Sequence, residues 1–215
     1  MTDNTLRKMT GVAGVLFFAL ILAVVPLYFL YLGPPPAWNV LLRALVGMIQ
    51  LVTFLWFAVG LQSLVRRARP EDDVVATLLG SLGVVFVAVH LVAVAHEAGR
   101  VLGRTDLFDP TLVGSGAEGA LVIYGPVGRI LTAVFLAVAG LATLRGRLAP
   151  VWLGRAAFAL ALLEITFVAT LFSGTEPARF LSINGWHLPV LGGLFGLWVL
   201  SLSIALLRQP GVLSR

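Results

Sequence analysis

Ionisable side chains occur inside the apolar stretches of this sequence, where they are rare and costly. The segment His90-Leu-Val-Ala-Val-Ala-His96-Glu97-Ala-Gly-Arg100 closes one such stretch. His90 and Glu97 are seven residues apart and therefore share a helix face, while Arg100 is close enough along the helix to pair with Glu97 or His96. Ionisable groups within apolar spans usually face a bundle interior or a water-filled cavity. Imidazole, carboxylate and guanidinium groups placed there can pair with each other, bind a polar ligand or hold a metal.

Four further ionisable residues lie in other apolar stretches. Arg43 is near the start of the second stretch, and Arg129 follows a Gly-Pro segment at which a helix starts or kinks. Glu164 lies near the middle of the fifth stretch and His187 at the start of the sixth. With the topology derived below, all of these residues fall in the outer half of a membrane, and the inner half has only Gln62 near its edge. The outer half is therefore the predicted location of any function.

Two interpretations of this asymmetry involve the same residues. In the first, ion pairs hold the helices together, with Arg129 on Glu164 or Glu97 and His90 on a backbone carbonyl, because an unpaired buried charge is costly. In the second, a cavity open to the outside binds a small polar or anionic molecule. Its candidate ligand-binding residues are Arg43, His90, Glu97, Arg129, Glu164 and His187.

A membrane-embedded metal or haem protein, with a redox role, is a further alternative. Its candidate ligands are His90 or His96 together with His187, supported by a carboxylate. His90 and His96 are turned about 120° apart on a helix, so they do not readily chelate one ion. The chain has no Cys, which excludes disulfides, thiolate nucleophiles, iron–sulfur clusters and Cys-ligated zinc. No particular cofactor is indicated.

Nucleophilic catalysis has little support in the sequence. Val113-Gly114-Ser115-Gly116 and Phe172-Ser173-Gly174 are fragments of serine motifs, and neither is complete. The sequence contains no phosphate-binding loop and no dinucleotide fingerprint. We therefore predict no catalytic residue and favour a protein that is not an enzyme.

The composition indicates a membrane protein. Of 215 residues, 59% are hydrophobic and 12% are charged, and the mean hydropathy is +1.00. Globular domains carry roughly a quarter charged residues, so a disordered chain, a nucleic-acid reader and an ordinary soluble enzyme are excluded. A bilayer core of ~30 Å needs about 20 apolar residues per helix. Six such runs predict an all-α, single-domain bundle over residues 1–215, with spans at about 11–32, 39–65, 74–95, 120–144, 151–172 and 188–207.

Basic residues predict the orientation of the six spans. If the N-terminus is cytoplasmic, ten Arg and Lys residues fall on the cytoplasmic side and five in the other half. The positive-inside rule then places both termini in the cytoplasm. The net charge of +5 therefore reflects topology, and it does not indicate a nucleic-acid partner.

An internal repeat is a further possibility. Shifting the chain by 114 residues aligns the first three spans with the last three, and it brings Trp38 onto Trp152 and Gln50 onto Glu164. Three spans per unit would give a 3+3 inverted repeat, the plan of many secondary transporters. Ala, Val, Leu and Gly also match by chance in such a chain, and the third pair of spans shows little identity.

Two segments carry a family resemblance. The start Thr10-Gly-Val-Ala-Gly-Val-Leu-Phe17 and the loop Leu144-Arg-Gly-Arg-Leu-Ala-Pro-Val-Trp-Leu-Gly154 resemble a bacterial six-span membrane family that is a domain of unknown function. The resemblance implies a multi-pass protein of a bacterial plasma membrane and supplies no functional residue. The expected partners are the lipid bilayer, a small polar ligand and other membrane subunits. A non-catalytic accessory subunit, packed through Gly- and Ala-rich faces, is therefore another alternative.

Overall fold

Six helices in the computed structural model are long and apolar enough to cross a membrane. The structure describes residues 2–31, 35–102, 118–174, 179–183 and 185–208, and in these ranges it contains helices and turns but no strand. The prediction of an all-helical chain with six such helices is confirmed. The spans are Asp3–Tyr28, Ala37–Ala68, Pro70–Leu102, Gly119–Gly146, Val151–Phe172 and His187–Arg208.

Seven α-helices build these spans, because the fourth span is broken. They are α1 (Asp3–Val24), α2 (Ala37–Ala68), α3 (Asp73–Leu102), α4 (Glu118–Val122), α5 (Gly128–Gly146), α6 (Val151–Thr166) and α7 (His187–Arg208). Short 3₁₀ segments extend α1 through Tyr28 and α6 through Phe172.

Two span boundaries differ from the predicted ones. The first helix begins at Asp3 instead of Gly11, because the Thr2 hydroxyl caps it by accepting the Thr5 N–H at 3.3 Å. The third span runs to Leu102 instead of ending near residue 95. Glu97 therefore lies within a helix that continues beyond the apolar run.

The spans form a ring in sequence order. Each span packs against the next one along the chain, with α3 against α5, and α7 returns to pack against α1. Glycines permit close approach at these contacts: a Cβ on Gly14 would collide with Ser203 of α7 and Phe57 of α2, and one on Gly60 would collide with Thr10. Small residues have this role in membrane bundles, where lipid is as apolar as the side chains and helices associate through packing.

One end of the ring carries a set of ion pairs. Asp3 at the start of α1 pairs with Arg67 at 2.6 Å, and Asp72 before α3 pairs with Arg145 at the end of α5 at 3.0 Å. The end of α7 lies here too, because Leu207 packs against Gly11. We name this the ionic end and the opposite one the cavity end. The arginine distribution predicts that the ionic end is cytoplasmic.

Aromatic rings fill the middle of the bundle. Phe54 of α2 lies 5.1 Å from Phe17, 4.8 Å from Phe86, 5.1 Å from Phe135 and 5.6 Å from Phe195, measured between ring centroids. These five rings come from five spans, and we name them the aromatic floor. They separate the packed ionic half of the bundle from the half that contains the cavity.

The fourth span is broken between α4 and α5. Gly125 has φ −81° and ψ −112° inside a π-helical turn, Ile123–Val127, that also contains Pro126. Proline lacks a backbone N–H and clashes with the preceding turn, so it starts or kinks a helix, as the sequence predicts here. The break places Arg129 in the first turn of α5, beside the cavity.

Candidate functional site

A cavity of about 570 Å³ lies between the aromatic floor and the cavity end, and all six spans line it. Along α3 it extends from Phe86 to Arg100, which is about 21 Å at 1.5 Å per residue. Its volume is in the range of small-molecule sites. Five of the six residues predicted to bind a ligand line it: Arg43, His90, Glu97, Arg129 and Glu164.

A deep ion pair joins three helices at the cavity wall. Arg129 Nη1 donates to Glu164 Oε2 at 2.8 Å, and Arg129 Nη2 donates to the Leu188 carbonyl at 3.1 Å. The side chains of Arg129 and Glu164 are only 7% and 2% exposed. Charge-assisted hydrogen bonds of this length are strong, so the pair holds α5, α6 and the start of α7 together.

A shallower pair is only loosely formed. Arg43 Nη2 lies 3.5 Å from Glu97 Oε1, and neither Nε nor Nη2 of Arg43 makes a hydrogen bond, although the Arg43 side chain is 2% exposed. The guanidinium carbon sits 4.2 Å from the ring centroid of Tyr28, a cation–π contact that fixes its plane. The Nε–Nη2 edge is the one that binds a carboxylate or phosphate through two parallel hydrogen bonds. A buried donor without an acceptor is costly, so this edge is suited to an anionic ligand.

His90 lies deeper on the same face of α3. Its Nδ1 donates to the Phe86 carbonyl at 2.8 Å, and its ring stacks on Phe86 at 4.0 Å. A Cβ on Gly128 would lie 3.2 Å from His90 Nε2, so the glycine makes room for the imidazole. Because Nδ1 donates, Nε2 of the neutral ring is an acceptor at the cavity wall.

The other two histidines lie elsewhere. His187 is fully buried, its Nδ1 donates to the Phe180 carbonyl at 2.8 Å, and its ring stacks on Phe167 at 5.2 Å. It therefore fixes the chain before α7 and is not among the residues that line the cavity. His96 is exposed and also outside the lining.

The three histidines thus have three separate environments. In the described ranges, no group of three His, Asp or Glu side chains is placed to hold a metal ion. The metal or haem interpretation, which relies on His90 or His96 with His187, gains no support from these positions. The Gly114-Ser115-Gly116 fragment lies outside the described residues.

Sequence reasoning missed several residues that line the cavity. Tyr28 and Tyr124 face it, together with Gln50, Arg100 and Thr132. In the sequence, Gln50 stands out only as half of a repeat match. A polar residue inside an apolar span was the signal that Gln50 and Thr132 offered.

Comparisons with known proteins give no assignment. No protein-family model matches the sequence, and no curated protein and no solved structure is significantly similar to it. The resemblance to a bacterial six-span family remains a prediction. What the structure defines is a class of fold and site: an all-helical chain with six membrane-length helices around a cavity that is lined by apolar and ionisable side chains.

Proposed function

We propose that this chain is an integral membrane protein whose cavity binds a small polar or anionic molecule, either to retain it or to carry it across the membrane. The observation behind this proposal is Arg43, a residue of the cavity lining whose Nε and Nη2 are buried and have no hydrogen-bond acceptor. The described lining also contains the ionisable side chains of Arg100, Arg129, Glu97 and Glu164.

Arg43 is the better ligand contact than Arg129. Two of the three nitrogens of Arg129 are already satisfied by Glu164 and a backbone carbonyl. Arg43 has only a non-hydrogen-bonded carboxylate, Glu97, at 3.5 Å. An anion that displaces Glu97 gains two charge-assisted hydrogen bonds in exchange for a 3.5 Å contact that makes none.

The setting in the cell is part of the proposal. We place the protein in a bacterial plasma membrane with both termini cytoplasmic and the cavity open to the outside, on the arginine distribution and the family resemblance. A transport cycle also requires the aromatic floor to open, and an inverted repeat would supply the inward-open form. A simple binding protein needs neither.

Thermal unfolding of the purified protein in nanodiscs tests the proposal, with acetate, benzoate and phosphate as probes. At least one probe is expected to raise the unfolding temperature, and Arg43→Gln is expected to weaken its binding roughly tenfold, the effect of losing a charge-assisted hydrogen bond. Arg155→Gln, which removes an exposed arginine outside the cavity, is the matched control and leaves binding unchanged.

Glu97→Gln supplies a result of opposite sign. Removing the competing carboxylate frees Arg43, so anions are expected to bind more tightly to Glu97→Gln than to the wild type. If no probe stabilises the protein and both variants merely unfold more easily, the residues form a structural cluster and the proposal is wrong.

The remaining alternatives lack an observation of this kind. A haem or metal protein would need ligands that the described histidines do not bring together. An accessory subunit would use exposed apolar faces such as the one with Trp56, 62% exposed, but lipid covers such faces equally well.

A further inference from the structure

Among the described residues, the surface-exposed part of the cavity lining lies on one side of the ring. Most lining side chains are buried or half-buried. The exposed ones come from the end of the first span and the start of the last. They are Val25, Tyr28, Phe29, Trp186 and Pro189.

The first and last spans pack closely toward the ionic end and part toward the cavity end. A Cβ on Gly196 of α7 would lie 2.6 Å from Ile21 Cδ1, whereas nothing lies within 4 Å of a Cβ on Gly192 or Gly193. Above this gap, Phe29 and Trp186 stack at 5.5 Å and bridge the two spans. We name the gap the α1/α7 window, lined by Val24, Val25, Pro189, Gly192 and Gly193.

The two sides of the cavity differ in polarity. The wall formed by the first and last spans is apolar apart from Tyr28, and it includes Phe17, Ile21, Val24, Leu188 and Phe195. The facing wall, from α3, α5 and α6, carries His90, Glu97, Arg129, Thr132 and Glu164. A ligand that matches both walls has an apolar body and a polar head.

The position of Arg43 sets where that head lies. Leu51 of α2 lines the cavity beside the aromatic floor. At a rise of 1.5 Å per residue, Arg43 on the same helix lies about 12 Å nearer to the cavity end. A head on Arg43 therefore leaves room beneath it for a medium-length acyl chain along the apolar wall. The window is lined by apolar side chains and glycines, as access from lipid requires.

We propose that the ligand is an amphiphilic anion, a carboxylate or phosphate on a single apolar chain, that reaches the cavity from the bilayer through the α1/α7 window and binds Arg43 with its head. This inference rests on the proposed function and names its ligand class and its route. It accounts for a buried arginine in the lining of a cavity whose exposed described residues lie on the first span and before or in the last one.

Photolabelling in phosphatidylcholine nanodiscs tests it, with a dodecanoate that carries a diazirine at the chain end. Adducts are expected on the first and last spans near the window, and Arg43→Gln is expected to lower their yield roughly tenfold. Gly193→Trp fills the window and is expected to lower the yield similarly, whereas Gly99→Trp, an equally open glycine outside the cavity, has no effect. Val25→Trp replaces Gly193→Trp if that variant does not fold.

The outcomes separate this inference from the proposed function. Adducts scattered over the lipid-facing helices, or a yield insensitive to both Arg43→Gln and window-filling variants, overturn the amphiphile and its route. If acetate or benzoate still stabilises the protein through Arg43, the proposed function survives that result. If neither acetate, benzoate, phosphate nor dodecanoate depends on Arg43, both are wrong.

Discussion

Arg129 and Glu164 line the same cavity as Arg43 and Glu97, yet the two pairs have different roles. The deep pair is hydrogen-bonded at 2.8 Å and is further fixed by the Leu188 carbonyl. The shallow pair is 3.5 Å apart with unsatisfied donors. A buried pair whose guanidinium makes two hydrogen bonds holds structure, while one that makes none between its partners can exchange its partner for a ligand. Charge alone would not have distinguished them.

Glu164→Gln is expected to lower the free energy of unfolding by about 3–5 kcal/mol, because it leaves the Arg129 charge buried and uncompensated. Chemical or thermal unfolding in detergent measures this. Asp73→Asn, which breaks the exposed pair with Arg66, is the control and costs less than about 1 kcal/mol. The double replacement Arg129→Met with Glu164→Leu restores most of the stability. Equal losses for Glu164→Gln and Asp73→Asn would show that the deep pair does not hold the helices.

The sequence identified most of the cavity because intramembrane ionisable residues are few and rarely face lipid. The sequence predicted a shared helix face for His90 and Glu97, and both line the cavity together with Arg43. It could not place His187, whose partners, Phe180 and Phe167, lie before α7 and at the end of the fifth span. Which donor stays unsatisfied depends on rotamers and distances that no spacing encodes.

At the scale of elements, glycines determine how closely the first helix approaches its neighbours. Gly14 faces Ser203 and Phe57, and Gly196 faces Ile21. Gly192 and Gly193 belong to the same helix as Gly196, but a Cβ on either would meet no atom within 4 Å, and both line the cavity. Glycines of one helix therefore serve two purposes: some allow close packing, and others keep the α1/α7 window free of side chains.

Gly14→Leu is expected to destabilise the protein by at least about 1–3 kcal/mol, since overpacking a tight contact forces the helices apart. Gly193→Ala is the matched control and is expected to be neutral or to stabilise by roughly 0.5–1 kcal/mol, the helical advantage of alanine over glycine. Unfolding temperatures of both variants in the same detergent measure the difference. Similar temperatures would mean that α1 and α7 are not closely packed at Gly14.

Helix number and type were predictable, and helix ends were less so. Six apolar runs are a strong signal because each must satisfy its own backbone in lipid. The ends depend on caps, such as Thr2 at the start of α1, and on polar turns that continue a helix, such as the last turns of α3 beyond residue 95. Pro126 predicted the break in the fourth span. It did not predict that Gly128, directly after the break, would pack against His90.

The whole molecule has two unlike ends. The ionic end is closed by surface pairs such as Asp3 with Arg67 and Asp72 with Arg145, and in the described part of the chain the cavity end carries the Phe29–Trp186 stack beside the window. The aromatic floor separates them. The cavity therefore lies on one side of this floor, and the orientation of the bundle decides which compartment or leaflet it is nearer to.

Single-cysteine labelling tests that orientation, and it is clean because the chain has no native cysteine. Ser173→Cys lies at the cavity end in an exposed position, and Glu71→Cys lies at the ionic end, where the native side chain is 61% exposed. Because basic residues are retained in the cytoplasm, a membrane-impermeant maleimide is expected to label Ser173→Cys in intact cells and Glu71→Cys only after lysis. The reverse labelling pattern would mean that the cavity faces the cytoplasm. Arg43 would still be the proposed anion contact, but the ligand would come from the inner leaflet or the cytoplasm. Unlike the other tests, this one therefore decides which side of the membrane the cavity serves, independently of what binds in it.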